Sequence, residues 1–383
     1  MRSASPIDLV TRPLSSCQAQ AGPRACLHSH FVWGVSPACL IASAKPACRV
    51  EDWQTHLKLE AYPERASVMA PPKRASFNVC FCDIDGTLVH YPETQARWGE
   101  ITGPSVIPGC FMYVERETGK RHKVLKLPPT TTGHQGVISI KTLTELARMR
   151  KGGVKLVLIT GARLSTLLMR MAFLPAADAY VCENGGRIYY PDTSLTVALP
   201  IAEDIAWRKT HNATAGPPDA DAVPPSKRPG KLWDLYRKLD ADGWALDAFS
   251  YTTNFRLKAK DGKTPDDVLN VVKNLDPDLS SSFNIGLADF YPSTSGKEKA
   301  AQYIVDHYES NLSEAFLLCD DDNDMGLAAV VGKVFLPSIT SDSVQRAVEA
   351  NPEKFVISQK GGIIATEEIL EHVEDHIGTF LLG

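Results

Sequence analysis

Short apolar runs recur along this chain, most followed by an amphipathic helical stretch, and no other feature of the sequence restricts the fold so far. The runs are residues 78–84, 155–160, 179–182, 315–319 and 333–337; the helical stretches are 142–150, 165–173, 297–308, 341–350 and 366–376. Runs this short and this uniformly apolar suit strands buried on both faces, and strand-then-helix repetition builds a parallel sheet with helices on either side. The sequence therefore predicts a doubly wound α/β fold. Ligands of such sheets collect beyond the carboxyl ends of the strands, which is where this chain carries its most conspicuous acidic and polar residues.

The alternation is interrupted twice. Residues 89–135 hold a hairpin pattern, 111–115 and 123–127 about the turn Glu117-Thr118-Gly119. Residues 187–291 are longer: a Pro/Ala-rich loop at 216–230, read as flexible, then a helix at 231–239, a strand at 250–258, a helix at 265–275 and a strand at 281–291. That order predicts a small α+β domain inserted into the larger one. The division is 1–75 as a separate leading segment, 76–186 and 292–383 as the two parts of the core, and 187–291 as the insertion. With 383 residues, 44% hydrophobic and 22% charged, the chain has material for about two globular domains.

Charge and cysteine content exclude several classes. A formal net charge of -4 without a Lys/Arg-dense stretch disfavours nucleic acid as a partner. No run of about 18 apolar residues predicts a membrane span. The nine cysteines are odd in number and contain no CxxC pair, which argues against zinc or a disulfide framework and fits a reducing compartment. Within residues 1–50 the only acid is Asp8, among Arg2, Arg12, Arg24, Lys45, Arg49 and many Ser, Ala and Pro. That composition predicts an organelle transit peptide, with the plastid as its leading address; the alternative is a disordered tail on a cytoplasmic protein.

The chemistry concentrates in Asp83-Ile84-Asp85-Gly86-Thr87-Leu88, directly after an apolar run. Two carboxylates two residues apart at a strand end repel each other if buried alone, and a divalent cation relieves the repulsion. Magnesium suits oxygen ligands and phosphate chemistry. One carboxylate can serve as nucleophile while the other, turned by the Gly86 loop, donates and takes a proton. The bland alternative is an Asp-Gly turn that ends a strand. Further along, Thr160-Gly161 ends a second run, and Cys319-Asp320-Asp321-Asp322-Asn323-Asp324 crowds four carboxylates after another, costly without a cation.

The first string resembles the opening DxDGT motif of the haloacid dehalogenase superfamily, and matches to its three further motifs follow in order, over about residues 76–383. Thr160-Gly161 fits the second motif. Ser295-Gly296-Lys297-Glu298-Lys299-Ala300 resembles the third, with Glu298 where Gly is usual, and 319–324 resembles the fourth, GDxxND, with Cys319 where Gly is usual. The resemblance implies Asp83 as nucleophile, Asp85 as proton donor and acceptor, and Lys297 balancing their charge. It implies Thr160, Gly161 and Asn323 on the phosphate, and Asp83, Asp85, Asp320 and Asp324 around Mg²⁺. Cys182-Glu183-Asn184-Gly185-Gly186-Arg187 looks like the element preceding the C2-type cap of the Cof-like, sucrose-phosphatase-like and phosphomannomutase-like branches. Lys360-Gly361-Gly362-Ile363 resembles the element before their final helix.

The implied activity is magnesium-dependent hydrolysis of a small phosphorylated metabolite, a sugar phosphate among the candidates, through an aspartyl-phosphate, with the cap gripping the organic part. A phosphosugar mutase shares the same motifs and stays open. So does a regulatory protein that keeps the fold without turnover, although Asp83, Asp85, Lys297 and Asp320 are all in place. Arg187, Arg256 and Lys258, in or near the insertion, are candidates for a second anionic group or plain surface charges. The sequence does not fix the substrate or the oligomeric state.

Overall fold

The computed structural model describes residues 77–91, 96–129, 133–258, 262–284 and 287–377, all within one compact unit. The acid-poor segment 1–75 lies outside the described residues.

Strand β1 (Val79–Cys82) is followed by β2 (Gly99–Pro104), β3 (Cys110–Glu115), β4 (Arg121–Lys126) and β5 (Val137–Ser139). Then come α1 (Ile140–Lys151), β6 (Lys155–Ile159), α2 (Leu164–Met171), β7 (Ala179–Cys182), β8 (Arg187–Pro191) and β9 (Ile201–Glu203). The insertion adds α3 (Ile205–Lys209), α4 (Asn212–Ala215), α5 (Lys231–Ala241), β10 (Ala245–Asp247), β11 (Phe255–Lys258), α6 (Pro265–Lys273), β12 (Leu279–Asn284) and β13 (Leu287–Pro292). The chain returns through α7 (Lys297–His307), β14 (Ala315–Leu318), α8 (Met325–Val330), β15 (Lys333–Leu336), α9 (Asp342–Ala350), β16 (Phe355–Ile357) and α10 (Ile363–Ile377).

The main sheet has eight strands in the order β16-β15-β14-β1-β6-β7-β8-β9. It is parallel from β16 to β7 and antiparallel at β8 and β9. Alternate residues of β1 feed two cores. Cys80 and Cys82 pack with Leu146 of α1, Leu167 of α2 and Val373 of α10. Val79 and Phe81 pack with Ala301 of α7, Leu327 of α8 and Val344 of α9. Helices on both faces explain why these strands read as continuous apolar runs, and the doubly wound α/β class stands. The helix ends are set locally. Ser139 accepts the Lys141 N–H at the start of α1, whose last turn carries Arg148, Arg150 and Lys151. Thr264 and Asp267 form a capping box around Pro265 at the start of α6.

Four details depart from the sequence reading. The hairpin at 111–127 is the centre of a four-stranded antiparallel sheet, β2-β3-β4-β5. Residues 187–203 extend the main sheet, so the insertion's own sheet, β10-β11-β13-β12, begins at Ala245. The single strand expected at 281–291 is two strands that pair antiparallel up to Asn284↔Leu287. Finally, the loop at 216–230 is pinned rather than loose. Arg208 donates to Gly216 O and to Asp221, and Arg228 donates to the carbonyls of Val223, Asp221 and Tyr251. Prolines fix its short 3-10 turns, Pro218–Ala222 and Pro225–Lys227.

Among the described residues no helix is long and apolar enough to cross a membrane. The described cysteines (Cys80, Cys82, Cys110, Cys182 and Cys319) are free and buried.

Candidate active site

The register of β1 with β14 decides what stands next to Asp83. Cys82 lies opposite Leu318, and the Asp83 N–H donates to Leu318 O at 2.9 Å. The first residues beyond both strands are thus held side by side. Gly86, at φ +86°, turns the chain under Asp320; a Cβ there would lie 2.0 Å from Asp320 Oδ2. Only glycine allows both that backbone conformation and that approach. The Thr87 hydroxyl then donates to Asp320 Oδ1 at 2.9 Å.

Lys297 opens α7, and its buried ammonium donates to Asp83 Oδ1 at 2.8 Å and to Asp324 Oδ1 at 2.6 Å. Asp324 Oδ2 is buried with no partner. Two buried carboxyls therefore share one ammonium, and a third, Asp320, is bonded to Thr87 instead. Burial pushes the Asp83 carboxyl up to about 8, with Lys297 opposing and Asp324 adding to the rise. Burial, then the Asp83 charge, pushes Asp320 well above the usual carboxylate range. Asp324 is raised by burial against the pull of Lys297. Burial works against the Lys297 charge too, but Asp324 and Asp83 more than offset it and hold the ammonium firmly protonated. Asp321 and Asp322 face elsewhere: Asp322 accepts from Ser341 and Ser343, and Asp321 from Thr340.

Thr160 follows β6, the other neighbour of β1. Its N–H donates to Val181 O at 3.0 Å and its hydroxyl accepts the Ala162 N–H at 3.1 Å. Gly161 is buried, and its carbonyl accepts the Tyr251 hydroxyl at 3.5 Å. Asn323 is half-buried in the turn Asp322–Asp324.

Asp85 is placed differently from expectation. Its carboxylate is gripped by the buried guanidinium of Arg170, from α2, and by the Tyr91 hydroxyl at 2.5 Å; Arg170 also donates to Tyr91 at 2.6 Å. Both oxygens of that carboxylate accept from Arg170, and one also accepts from Tyr91. Neither Arg170 nor Tyr91 was anticipated from sequence. Arg170 occupies the buried face of a helix whose only other buried residues are Leu167 and Met171, and nothing in its spacing points at Asp85.

The insertion meets the core along the Glu183-Asn184-Gly185 segment. The buried Glu183 carboxylate accepts the N–H groups of Thr252 and Thr253 at 2.9 and 2.7 Å. Asn184, at φ +53°, donates to Asp289 Oδ2 at 3.2 Å. Its carbonyl accepts from the Gly296 N–H at 3.1 Å and from the Ser295 hydroxyl at 3.2 Å. Arg163, in the loop after β6, donates to Asp247 at 2.7 Å and to Phe249 O at 2.6 Å. Two of the cations proposed for a second anionic group are engaged internally: Arg187 with Glu203 at 2.6 Å and Arg256 with Asp289 at 2.7 Å. Lys258 is exposed.

Among the described residues no three His, Cys, Asp or Glu side chains form a ready metal cage. Magnesium rarely uses one; it takes one or two carboxylates and fills its octahedron with waters and substrate phosphate. Hard oxygen donors, an excess of buried negative charge and the orphaned Asp324 Oδ2 fit that ion.

No family model and no curated protein matches the chain. Solved structures that overlap it include a Thermoplasma acidophilum protein, at TM-score 0.49 and 14% identity, covering 78% of this chain and 98% of that one. The Synechocystis sp. PCC6803 sucrose-phosphatase, in complex with sucrose and phosphate, overlaps at TM-score 0.49 and 14% identity, covering 79% and 99%. A haloalkanoate (HAD) superfamily phosphatase from Bacteroides thetaiotaomicron overlaps at TM-score 0.48 and 14% identity, covering 82% and 99%. Likeness at this level carries no weight for the activity of this chain.

Proposed function

We propose that this chain is a haloacid dehalogenase superfamily phosphatase that uses magnesium to hydrolyse a small phosphorylated metabolite through an aspartyl-phosphate on Asp83. One observation carries the reading: the Lys297 ammonium bridges Asp83 and Asp324 beside the Thr87–Asp320 bond. Motif residues far apart in sequence thus meet at the ends of two adjacent parallel strands.

In this mechanism a carboxylate oxygen of Asp83 attacks phosphorus in line. The new O–P bond forms as the ester O–P bond breaks, and Asp85, having taken up a proton beside Arg170 and Tyr91, gives it to the departing oxygen. Asp85, now ionised, takes a proton from a water molecule that attacks the aspartyl-phosphate. That step releases inorganic phosphate and restores Asp83. Lys297 balances the negative charge throughout, while the Thr160 hydroxyl, the Gly161 backbone and Asn323 orient the phosphoryl oxygens. Arg170 and Tyr91 fix the position from which Asp85 works. Asp83 and Asp320 would hold Mg²⁺, with Asp324 in support; when bound, the ion supplies positive charge against the phosphoryl oxygens and the clustered carboxylates.

A panel of phosphorylated metabolites tests the reading: phosphate release must require Mg²⁺ and stop on chelation, and a panel with no turnover ends it. Stability gives a second readout. Burial raises the Asp83 carboxyl on folding from 3.8 to about 8 in the metal-free protein. A group that binds its proton more tightly when folded costs stability as pH rises through that window. Mg²⁺ should therefore raise the melting temperature more at about pH 8 than at about pH 5; equal increments at both would count against a metal on these carboxylates. The acid-poor leading segment supports a plastid address. Residues 1–75 fused to a fluorescent reporter should leave the cytosol, and a uniformly cytosolic reporter rules that address out.

A further inference from the structure

The mechanism above gives no task to Glu183-Asn184-Gly185, and the backbone there is strained. Glu183 and Asn184 stand at φ +54° and +53°, a left-handed conformation that non-glycine residues rarely adopt. Gly185 follows at φ +88°, and a Cβ on it would lie 2.3 Å from Gly296 O. The segment therefore packs backbone against backbone on the entry to α7.

Asn184 bonds three parts of the molecule at once. Its N–H donates to Thr160 O at 3.3 Å, just beyond β6, and its carbonyl accepts the N–H of Gly296, the residue before Lys297. Its side-chain amide donates to Asn254 Oδ1 at 3.3 Å and to Asp289 Oδ2 at 3.2 Å, both in the insertion. Asp289 is wholly buried, and Arg256 donates to both of its oxygens, at 2.7 and 2.8 Å. Held in this way, Asp289 presents an acceptor to the Asn184 amide. The arrangement has a cost: Asn184 Oδ1 and Asn254 Nδ2 are buried there without partners, and a buried polar atom left unpaired is unfavourable. A strained backbone with two orphaned atoms is a poor device for stability alone. Its reach, from the insertion to Thr160 and to the residue before Lys297, fits a part in the reaction.

We propose that Asn184 is a positioning residue, through which the insertion sets where Thr160 and Lys297 stand against the phosphoryl group. The inference rests on the phosphatase reading and goes beyond it, because the insertion then contributes to the chemical step itself. Thr160 and Lys297 act on charge that moves as phosphorus is attacked. Displacing either one costs more in the transition state than in the bound ester, so loss of the link should fall on kcat and spare KM.

The test uses the full-length protein with Mg²⁺ and 4-nitrophenyl phosphate, with the folding of each variant checked by circular dichroism. Asn184→Gly keeps the left-handed backbone and removes only the side chain. It should lower kcat by about 10²-fold, the scale of a small misplacement at the reacting centre, with KM within about twofold of the parent. Asn184→Asp sets a carboxylate against Asp289 and should lose at least as much. Adding Asp289→Asn reverses the polarity of the link. The amide at 289 can then donate to the carboxylate at 184, and the unpaired Asn254 Nδ2 gains an acceptor. The double variant should recover about tenfold of the loss. Thr253→Val cuts a neighbouring tie, from the Thr253 hydroxyl to Glu183 at 2.8 Å, without removing a partner of Asn184; its kcat should match the parent. Parent kcat in Asn184→Gly, or an equal loss in Thr253→Val, overturns the inference while the phosphatase reading stands. If Asn184→Gly does not fold, the reversed pair decides, and no recovery in the double variant overturns the inference. No turnover by the unaltered enzyme defeats both.

Discussion

Asp83→Asn will lower phosphatase turnover by about 10⁴-fold or more and leave no covalent phosphate on the protein, because removing a nucleophile removes the reaction path itself. An amide cannot form an acyl-phosphate. The loss will not come from unfolding. Burial already favours the neutral form of Asp83, and an uncharged amide relieves its repulsion with Asp320 and Asp324, so the variant should melt no lower than the parent near neutral pH. Asp85→Asn will behave differently. Loss of a general acid–base typically costs about 10² to 10⁴. The first step should be spared with a nitrophenyl ester, whose leaving group needs no proton, while the second lacks its base. Rapid-quench labelling with a radioactive phosphoryl donor should show phosphoenzyme building up in Asp85→Asn and none in Asp83→Asn. Label on Asp83→Asn, or full activity in it, would assign the nucleophile to another side chain.

Lys297→Met will destabilise the fold by about 3–5 kcal/mol at neutral pH, the usual cost of breaking a buried ion pair from one side. The substitution removes the ammonium that binds Asp83 and Asp324 and puts nothing charged in its place. Its pH dependence has a definite sign. Without the ammonium the buried carboxyls bind protons more tightly in the folded state, so acid lets them neutralise and the deficit shrinks as pH falls. Urea unfolding at neutral and mildly acidic pH checks this. Adding Asp324→Asn should recover part of the loss, since the two sites share one interaction. A Lys297→Met protein as stable as its parent at neutral pH would mean that the carboxyls are already protonated there and the ammonium stabilises little.

The sheet was legible because its strands are covered on both faces, which writes an unbroken apolar run for each. Asp83 and Asp320 were legible because each ends such a run, and the strand order alone brings them together; Lys297 was legible from its motif at the start of α7. What stayed hidden depends on contacts between distant segments. Arg170 reads as an ordinary charge on an amphipathic helix, and only the fold shows that it reaches Asp85. Arg228 and Arg208 pin a Pro-rich stretch that composition alone calls loose. The reversal between β12 and β13 is missed because the apolar residues Phe283, Ile285 and Leu287 read as one alternating strand, which masks the turn signals Asn284 and Gly286 between them. Trp98 rests on Gly361, a pairing no local pattern announces.

The entry and exit of the insertion are bonded to each other, Asn184 O to the Gly296 N–H and the Ser295 hydroxyl, and the next residue is Lys297. The insertion's own sheet, from Ala245 to Pro292, can therefore vary in length without stretching the core, because both attachment points are already closed on one another. The same closure makes the junction mechanically sensitive. A rigid-body swing of the insertion that strains this seam acts one residue from the ammonium joining Asp83 to Asp324. Variation in the inserted segment is thus free in size but constrained in how it attaches.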